Sequence, residues 1–260
     1  MSEKYTIIGA LLCIMAFALL PGGVCADDDV LFQVSTIDAL LQGVFDGFYS
    51  FDDLKTHGDF GIGTFDSLDG EMIALDGDYY QVKADGMAYP VLGNMTAPFA
   101  TVTSFDADQT ISVQNASNFT ELSLQLDKEL PSKNVFYAIR IDGTFPYVKT
   151  RSIPKQVKPY PRLADASKNQ SVFELYNTTG TVVGVWAPEF SKGLNVAGYH
   201  LHFITADRKA GGHILDLQVD KAEAKVDITS GFAMELPTTG NFYKVDLTQD
   251  LQSELEKVEK

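Results

Sequence analysis

The chain has 260 residues, 45% of them hydrophobic and 21% charged. This is the composition of a globular protein, long enough for one large domain or two small ones, and it excludes a collagenous, low-complexity or disordered chain. Acidic residues outnumber basic ones 35 to 20, giving a net charge of −15, which argues against nucleic acid or an anionic membrane surface as a partner.

Residues 1–26 read as a signal peptide. Lys4 opens the segment, and Tyr5 to Leu20 (YTIIGALLCIMAFALL) runs without a charge. Pro21-Gly22-Gly23 then leads to Val24-Cys25-Ala26, with small or modest residues at −3 and −1 before Asp27. The run is shorter than the roughly 20 apolar residues of a comfortable span. The expectation is therefore export with cleavage, ahead of an uncleaved N-terminal anchor. A lipid-anchored Cys25 fits less well, because Gly23-Val24 makes a poor lipobox. No stable membrane insertion is expected after cleavage. Both cysteines, Cys13 and Cys25, lie in this segment, so the mature chain has no disulfide and no thiolate nucleophile or ligand. Asn-x-Ser/Thr sequons at Asn94, Asn115, Asn118, Asn169 and Asn177 permit glycosylation in an exporting cell that has the machinery.

The remainder reads as an α/β chain of the mixed α+β kind, two halves built on mixed and antiparallel β-sheets with flanking helices. The N-terminal half is taken as 27–155. Ser35-Thr36 followed by IDALLQGVFDG predicts a capped amphipathic helix, with Leu40, Leu41, Val44, Phe45 and Phe48 on its core face. In 57–65 glycines alternate with apolar residues, which suits closely packed strands. Without a following GKS or GKT this stretch is no phosphate loop. Strands are expected at 71–75, 79–82, 99–105 and 135–141. PKQVKPYP at 154–161 holds three prolines and reads as a connector between halves. The C-terminal half, 156–260, opens with an expected helix over 163–176. Strands follow at 180–186, 199–205, 213–219 and 225–235. A last helix is expected over 248–258, with Leu251, Leu255 and Val258 on one face and Thr248 as cap.

The chain holds four histidines, at 57, 200, 202 and 213. Side chains alternate along a strand, so His200 and His202 share a face. The glycine-rich ADRKAGG turn returns the chain antiparallel. A hairpin folded about 207 and 208 sets His213 opposite His202. Three imidazoles then converge on one sheet face, the pattern of a catalytic zinc with an open position. A structural zinc would close four ligands, often with cysteine, and none is available. His57 reads as a loop histidine without a role.

The hairpin GYHLHFITADRKAGGHILD (198–216) resembles the metal hairpin of acetolactate decarboxylases. Similar blocks are GDFGIGTFDSLDGEM (58–72) and VKTRSIPKQVKPYP (148–161), with weaker ones in STIDALLQGVFDG, GTVVGVWAPEF and GLNVAGY. They span nearly the whole mature chain in the family's order. The resemblance implies a zinc enzyme that converts 2-acetolactate to acetoin and carbon dioxide, working as a homodimer. It implies His200, His202 and His213 as metal ligands, Glu71 and Glu259 (or Glu256) as active-site carboxylates, and Arg151 on the substrate carboxylate. Thr64 and Leu68 would line the pocket.

The residues allow the chemistry to be checked on its own terms. Losing CO2 from a β-keto acid leaves an electron pair on an enediolate. Zinc can stabilise it as a Lewis acid. The arginine fork matches a carboxylate and stays charged. A carboxylic acid, Glu71 or Glu259, can return the proton. Alternatives from other classes are an exported three-histidine zinc hydratase and a non-catalytic zinc-binding module. A hydratase's third histidine would lie farther along the chain, and hydration leaves Arg151 unexplained. A cupin-type dioxygenase would place a glutamate soon after the HxH pair, where Ala206, Asp207 and Arg208 stand instead.

Overall fold

The computed structural model describes residues 29–259, so the expected signal peptide lies outside the described residues. In chain order the elements begin β1 (Val30–Val34), α1 (Ile37–Leu41), β2 (Tyr49–Ser50), α2 (Phe51–Leu54), β3 (Phe60–Thr64), β4 (Glu71–Leu75), β5 (Asp78–Val82) and β6 (Ala88–Pro90). They continue with β7 (Thr96–Ala97), β8 (Ala100–Thr103), β9 (Gln109–Ala116), α3 (Phe119–Glu129), β10 (Phe136–Ser152) and α4 (Leu163–Ala166). The last are β11 (Ser171–Ala187), β12 (Gly198–Thr205), β13 (Gly211–Thr229), β14 (Gly231–Glu235) and α5 (Gln252–Glu259).

These elements form a mixed α+β fold around two large sheets. The seven-stranded sheet runs β14-β1-β8-β3-β4-β5-β6, antiparallel except for the parallel pair β1–β14. The five-stranded sheet is antiparallel, ordered β10-β11-β12-β13-β9. Because β10 also pairs with β13, it curls back on itself. Apolar residues alternating along both sheets meet face to face: Leu31, Phe60, Ile62 and Ile73 against Ala138, Val183, Val185 and Ile204. The other face of the curled sheet closes over Tyr137, Leu201, Phe203 and Leu217, capped by Leu122 and Leu126 of α3. Both sheets draw strands from both sides of the proline-rich connector. β9 and β10 precede it in the five-stranded sheet, and β14 returns to the seven-stranded one. Among the described residues no helix is long and apolar enough to cross a membrane.

The helices are shorter than periodicity alone predicts. α1 is capped by the Thr36 hydroxyl, which accepts from the Ala39 amide, but it stops at Leu41 because Gly43 takes φ +81°. Val44 and Phe45 are buried from the following loop. The expected helix over 163–176 is corrected to a single turn of α4 and a 3₁₀ turn, after which 171–176 joins β11. In SVFELY the exposed Val172, Glu174 and Tyr176 alternate with half-buried neighbours, a period of two that the pairing with Tyr147–Ser152 of β10 favours over a helix. The single strand expected at 225–235 is two, separated by Ser230. α5 starts at Gln252, whose amide is held by Asp250, while Thr248 bonds Asp246 instead of capping the helix. Its Leu251, Leu255 and Val258 are buried against α1 and α4 residues.

Candidate active site

The β12–β13 hairpin folds about 207 and 208, and His202 pairs with His213. On the other side of β13, His213 pairs with Arg151 of β10. Three adjacent strands therefore set Arg151, His213 and His202 in one row, and alternation brings His200 to the same face. The β10–β13 register shifts between Lys149 and Thr150, where Lys149 pairs with Asp216 and Thr150 with Ile214; the extra residue, Leu215, is a bulge in β13 two residues from His213. Gly212 makes the close approach possible. It sits at φ +137°, and a Cβ there would lie 2.5 Å from the Arg151 carbonyl oxygen. Opposite this row stands β4 of the other sheet. Its Met72 carbonyl oxygen lies 2.9 Å from His202 Nδ1, and its first residue is Glu71.

The charged groups interlock. Arg151 donates from Nη1 to Glu71 Oε1 at 2.9 Å and from Nη2 to Glu259 Oε1 at 3.3 Å. Glu259 Oε2 is 3.5 Å from Nε2 of both His200 and His213, and Glu71 Oε2 is 3.8 Å from His202 Nε2. His202, His213 and Arg151 are only 1%, 2% and 3% exposed. Burial pushes the Glu71 carboxyl up to about 7; Arg151 opposes this shift and Glu259 adds to it. Burial also raises Glu259, again against the pull of Arg151. His200 is driven down to about 3 by burial and by Arg151, and His202 and His213 fall well below the usual imidazole value for the same leading reason. The three imidazoles are thus neutral, the form that ligates metals.

The donor set fits a metal ion. One ligand atom from each histidine lies within 4.8 Å of the others. His202 Nε2 and both ring nitrogens of His213 are buried without a hydrogen-bond partner, a costly state for polar atoms unless a ligand takes them. The Met72 contact engages Nδ1 of His202 and leaves Nε2 for the ion. Glu71, Arg151, Glu259, Thr64, Leu68, His200 and His202 all border one cavity of about 30 Å3, and His213 joins through the metal-binding group. Thr64 donates its hydroxyl to the Gly70 carbonyl at 2.7 Å. Ser67 and Leu68 hold positive φ values of 63° and 55°. Backbone bonds from Ser67 to Phe45 and from Gln156 to Ser67 fix them there. Glu256 is exposed on α5, whereas Glu259 reaches the site. His57 stays apart, stacked on Phe32 with 3.6 Å between ring centroids and bonded to the Tyr49 hydroxyl.

Comparison with known proteins agrees with this geometry. The family described as alpha-acetolactate decarboxylase matches residues 31–249. A protein named alpha-acetolactate decarboxylase from Methanosarcina mazei is 62% identical over 232 residues, 89% of this chain and 81% of that one. One of the same name from Methylococcus capsulatus is 43% identical, covering 90% of each chain. The crystal structure of alpha-acetolactate decarboxylase from Bacillus subtilis aligns with a TM-score of 0.86 at 38% identity, covering 88% of this chain and 99% of that one.

The chain belongs to the alpha-acetolactate decarboxylase family.

As a member of the alpha-acetolactate decarboxylase family it is an enzyme of the decarboxylase class, and its three-histidine group can hold a metal ion. The matched span contains Glu71, Arg151 and the three histidines, while Glu259 lies beyond it. The cavity also has an apolar wall that sequence reasoning did not find: Ile37, Leu40, Phe99, Ile153 and Leu163. Leu40 was legible only as a core-facing residue, and nothing local in the sequence marks Leu163 or Phe99 as pocket residues.

Proposed function

We propose that this protein converts 2-acetolactate to acetoin and carbon dioxide, with zinc held by His200, His202 and His213. The observation that carries this reading is the buried Arg151, bonded between two glutamates beside three neutral imidazoles. A guanidinium at the wall of a narrow cavity suits a small substrate bearing a carboxylate. Loss of CO2 breaks the bond between the carboxylate carbon and C2, and the electron pair moves into the adjacent ketone to give an enediolate. Zinc, when bound, supplies Lewis acidity toward the ketone and hydroxyl oxygens.

The chain's own residues do the rest. Arg151 presents two Nη atoms, engaged by Glu71 and Glu259, to the substrate carboxylate. Its planar fork fixes the carboxylate plane, so that the breaking bond lies along the ketone π-system. Glu71, whose carboxyl burial raises, delivers a proton to the carbon that lost CO2. Glu259 holds Arg151 from the other side. Leu68 and the apolar wall exclude water, so that the proton comes from a residue on one face. Export with cleavage after residue 26 and a homodimeric state belong to the same proposal. The uncharged run Tyr5 to Leu20 supports the first, and the family resemblance supports the second.

The test is to incubate the purified zinc-loaded protein with racemic 2-acetolactate. Equal amounts of acetoin and CO2 above the spontaneous background are expected. No acetoin from a folded, zinc-loaded sample would overturn the reading and leave hydration or metal binding without turnover.

A further inference from the structure

The site is narrow, and its cavity of about 30 Å3 has room for about two waters. A branched keto acid is several times larger, so one wall must move aside to admit it. The strand walls are held from both sides. β10 and β12 each pair with β11 and β13, and β3 and β4 each pair with two neighbours. The turn bearing Leu68 is tied by backbone bonds to Phe45, Ile153 and Gln156. α5 differs. Among the described residues no backbone–backbone hydrogen bond ties it to another element. It is docked by the apolar stripe of Leu255 and Val258 with the preceding Leu251, at its far end by the Glu259 bond to Arg151, and at its near end by one ion-paired fork. In that fork Arg162 Nε donates to Glu254 Oε1 at 3.0 Å and Nη2 to Glu254 Oε2 at 2.6 Å.

Resting on the decarboxylase reading, we infer that α5 is a lid latched by the Arg162–Glu254 fork, and that Arg162 is the positioning residue that sets Glu259 against Arg151. Arg162 sits directly before α4, and Glu254 and Glu259 lie on the same short helix, so the fork anchors one end of α5 while Glu259 enters the site at the other. The pair is partly exposed, with side chains 41% and 21% accessible, so it is weak enough to open during turnover. Ile37, Leu40 and Leu163 border the cavity and also form the socket of the α5 stripe. Substrate alkyl groups and α5 therefore press on the same side chains from two directions, and a bound substrate favours the closed lid. This places α5 among the low-stability elements that ligand gating draws on.

The experiment uses the zinc-loaded full chain with Arg162→Ala, Arg162→Lys, Glu254→Gln and the exchanged pair Arg162→Glu/Glu254→Arg. Hydrogen exchange of 252–259 is read by mass spectrometry, alongside zinc content and acetoin formation at saturating substrate. Arg162→Ala and Glu254→Gln should each speed exchange of 252–259 by about fivefold and lower kcat by a similar factor, with zinc content and the exchange of β12 and β13 unchanged. Arg162→Lys should fall between them and wild type, and the exchanged pair should restore both readouts. Unchanged exchange at 252–259 in Arg162→Ala, or a lost kcat that the exchanged pair does not recover, would overturn the latch. Exchange and zinc content need no turnover. An absence of acetoin in the wild type would therefore count against the decarboxylase reading while the exchange data still decide the lid.

Discussion

Replacing Glu71 with glutamine isolates the proton that the reaction must return. The side chain keeps its size, and its amide oxygen still accepts from Arg151 Nη1, which sits 2.9 Å from Oε1. What disappears is the titratable proton, whose loss burial opposes. A positioned general acid contributes roughly 10²–10⁴-fold, equivalent to about 3–5 kcal/mol of barrier. Glu71→Gln should lower kcat by a factor in that range at pH 6 with zinc content unchanged. The pH profile supplies a second check. In the wild type the protonated fraction falls about tenfold per pH unit above the Glu71 pKa, and kcat should follow it, whereas the residual rate of Glu71→Gln should be flat. Stopped-flow or discontinuous acetoin measurements from pH 5 to 9 give both. A kcat within threefold of wild type at pH 6, with the falling limb still present, would refute Glu71 as the donor. The role would then pass to Glu259.

Arg151→Ala should keep zinc and lower kcat/KM by about 10²–10⁴, the equivalent of two charge-assisted hydrogen bonds to a carboxylate; loss of zinc instead would show that Arg151 builds the metal site and does not hold substrate. Asp227 is pushed from the ordinary carboxylate range up to about 7, first by burial, with Asp108, Asp29 and Asp106 adding to the rise. Its folded-state value lies above its unfolded one, so its contribution to stability is full below about pH 4 and is lost as pH rises through 7. Asp227→Asn should therefore match wild-type stability near pH 4 and exceed it by about 2 kcal/mol at pH 8; denaturant titration at both pH values checks this, and an equal change at both would contradict it.

The metal hairpin was legible because its two determinants are local. Alternation puts His200 and His202 on one face, and the glycine-rich turn fixes the register that pairs His202 with His213. The long-range parts were less legible. β9 and α3 were not anticipated, although β9 alternates buried Ile111 and Val113 with exposed neighbours. α3 carries its own start signal, with Asn118 accepting from the Glu121 amide. At 163–176 tertiary pairing overrides periodicity: SVFELY is amphipathic in either form, and the edge of β10 opposite its pairing with β13 decides it. The cavity's apolar wall draws on α1, the segments flanking β8 and β10, and α4, which only folding brings together. The placement of Glu259 rests on the α5 stripe seating in a socket made by α1 and α4, a contact that no local pattern encodes.

The most direct test of the central claim is metal dependence of acetoin formation in one sample. A chain of residues 27–260 is assayed with racemic 2-acetolactate as purified, after chelation, and during titration with zinc, beside His200→Ala, His202→Ala and His213→Ala. The account predicts activity that vanishes on chelation and returns in proportion to zinc, saturating at one ion per chain, with neither metal nor turnover in the variants. Full activity in chelated protein, or in a variant that binds no metal, would contradict it.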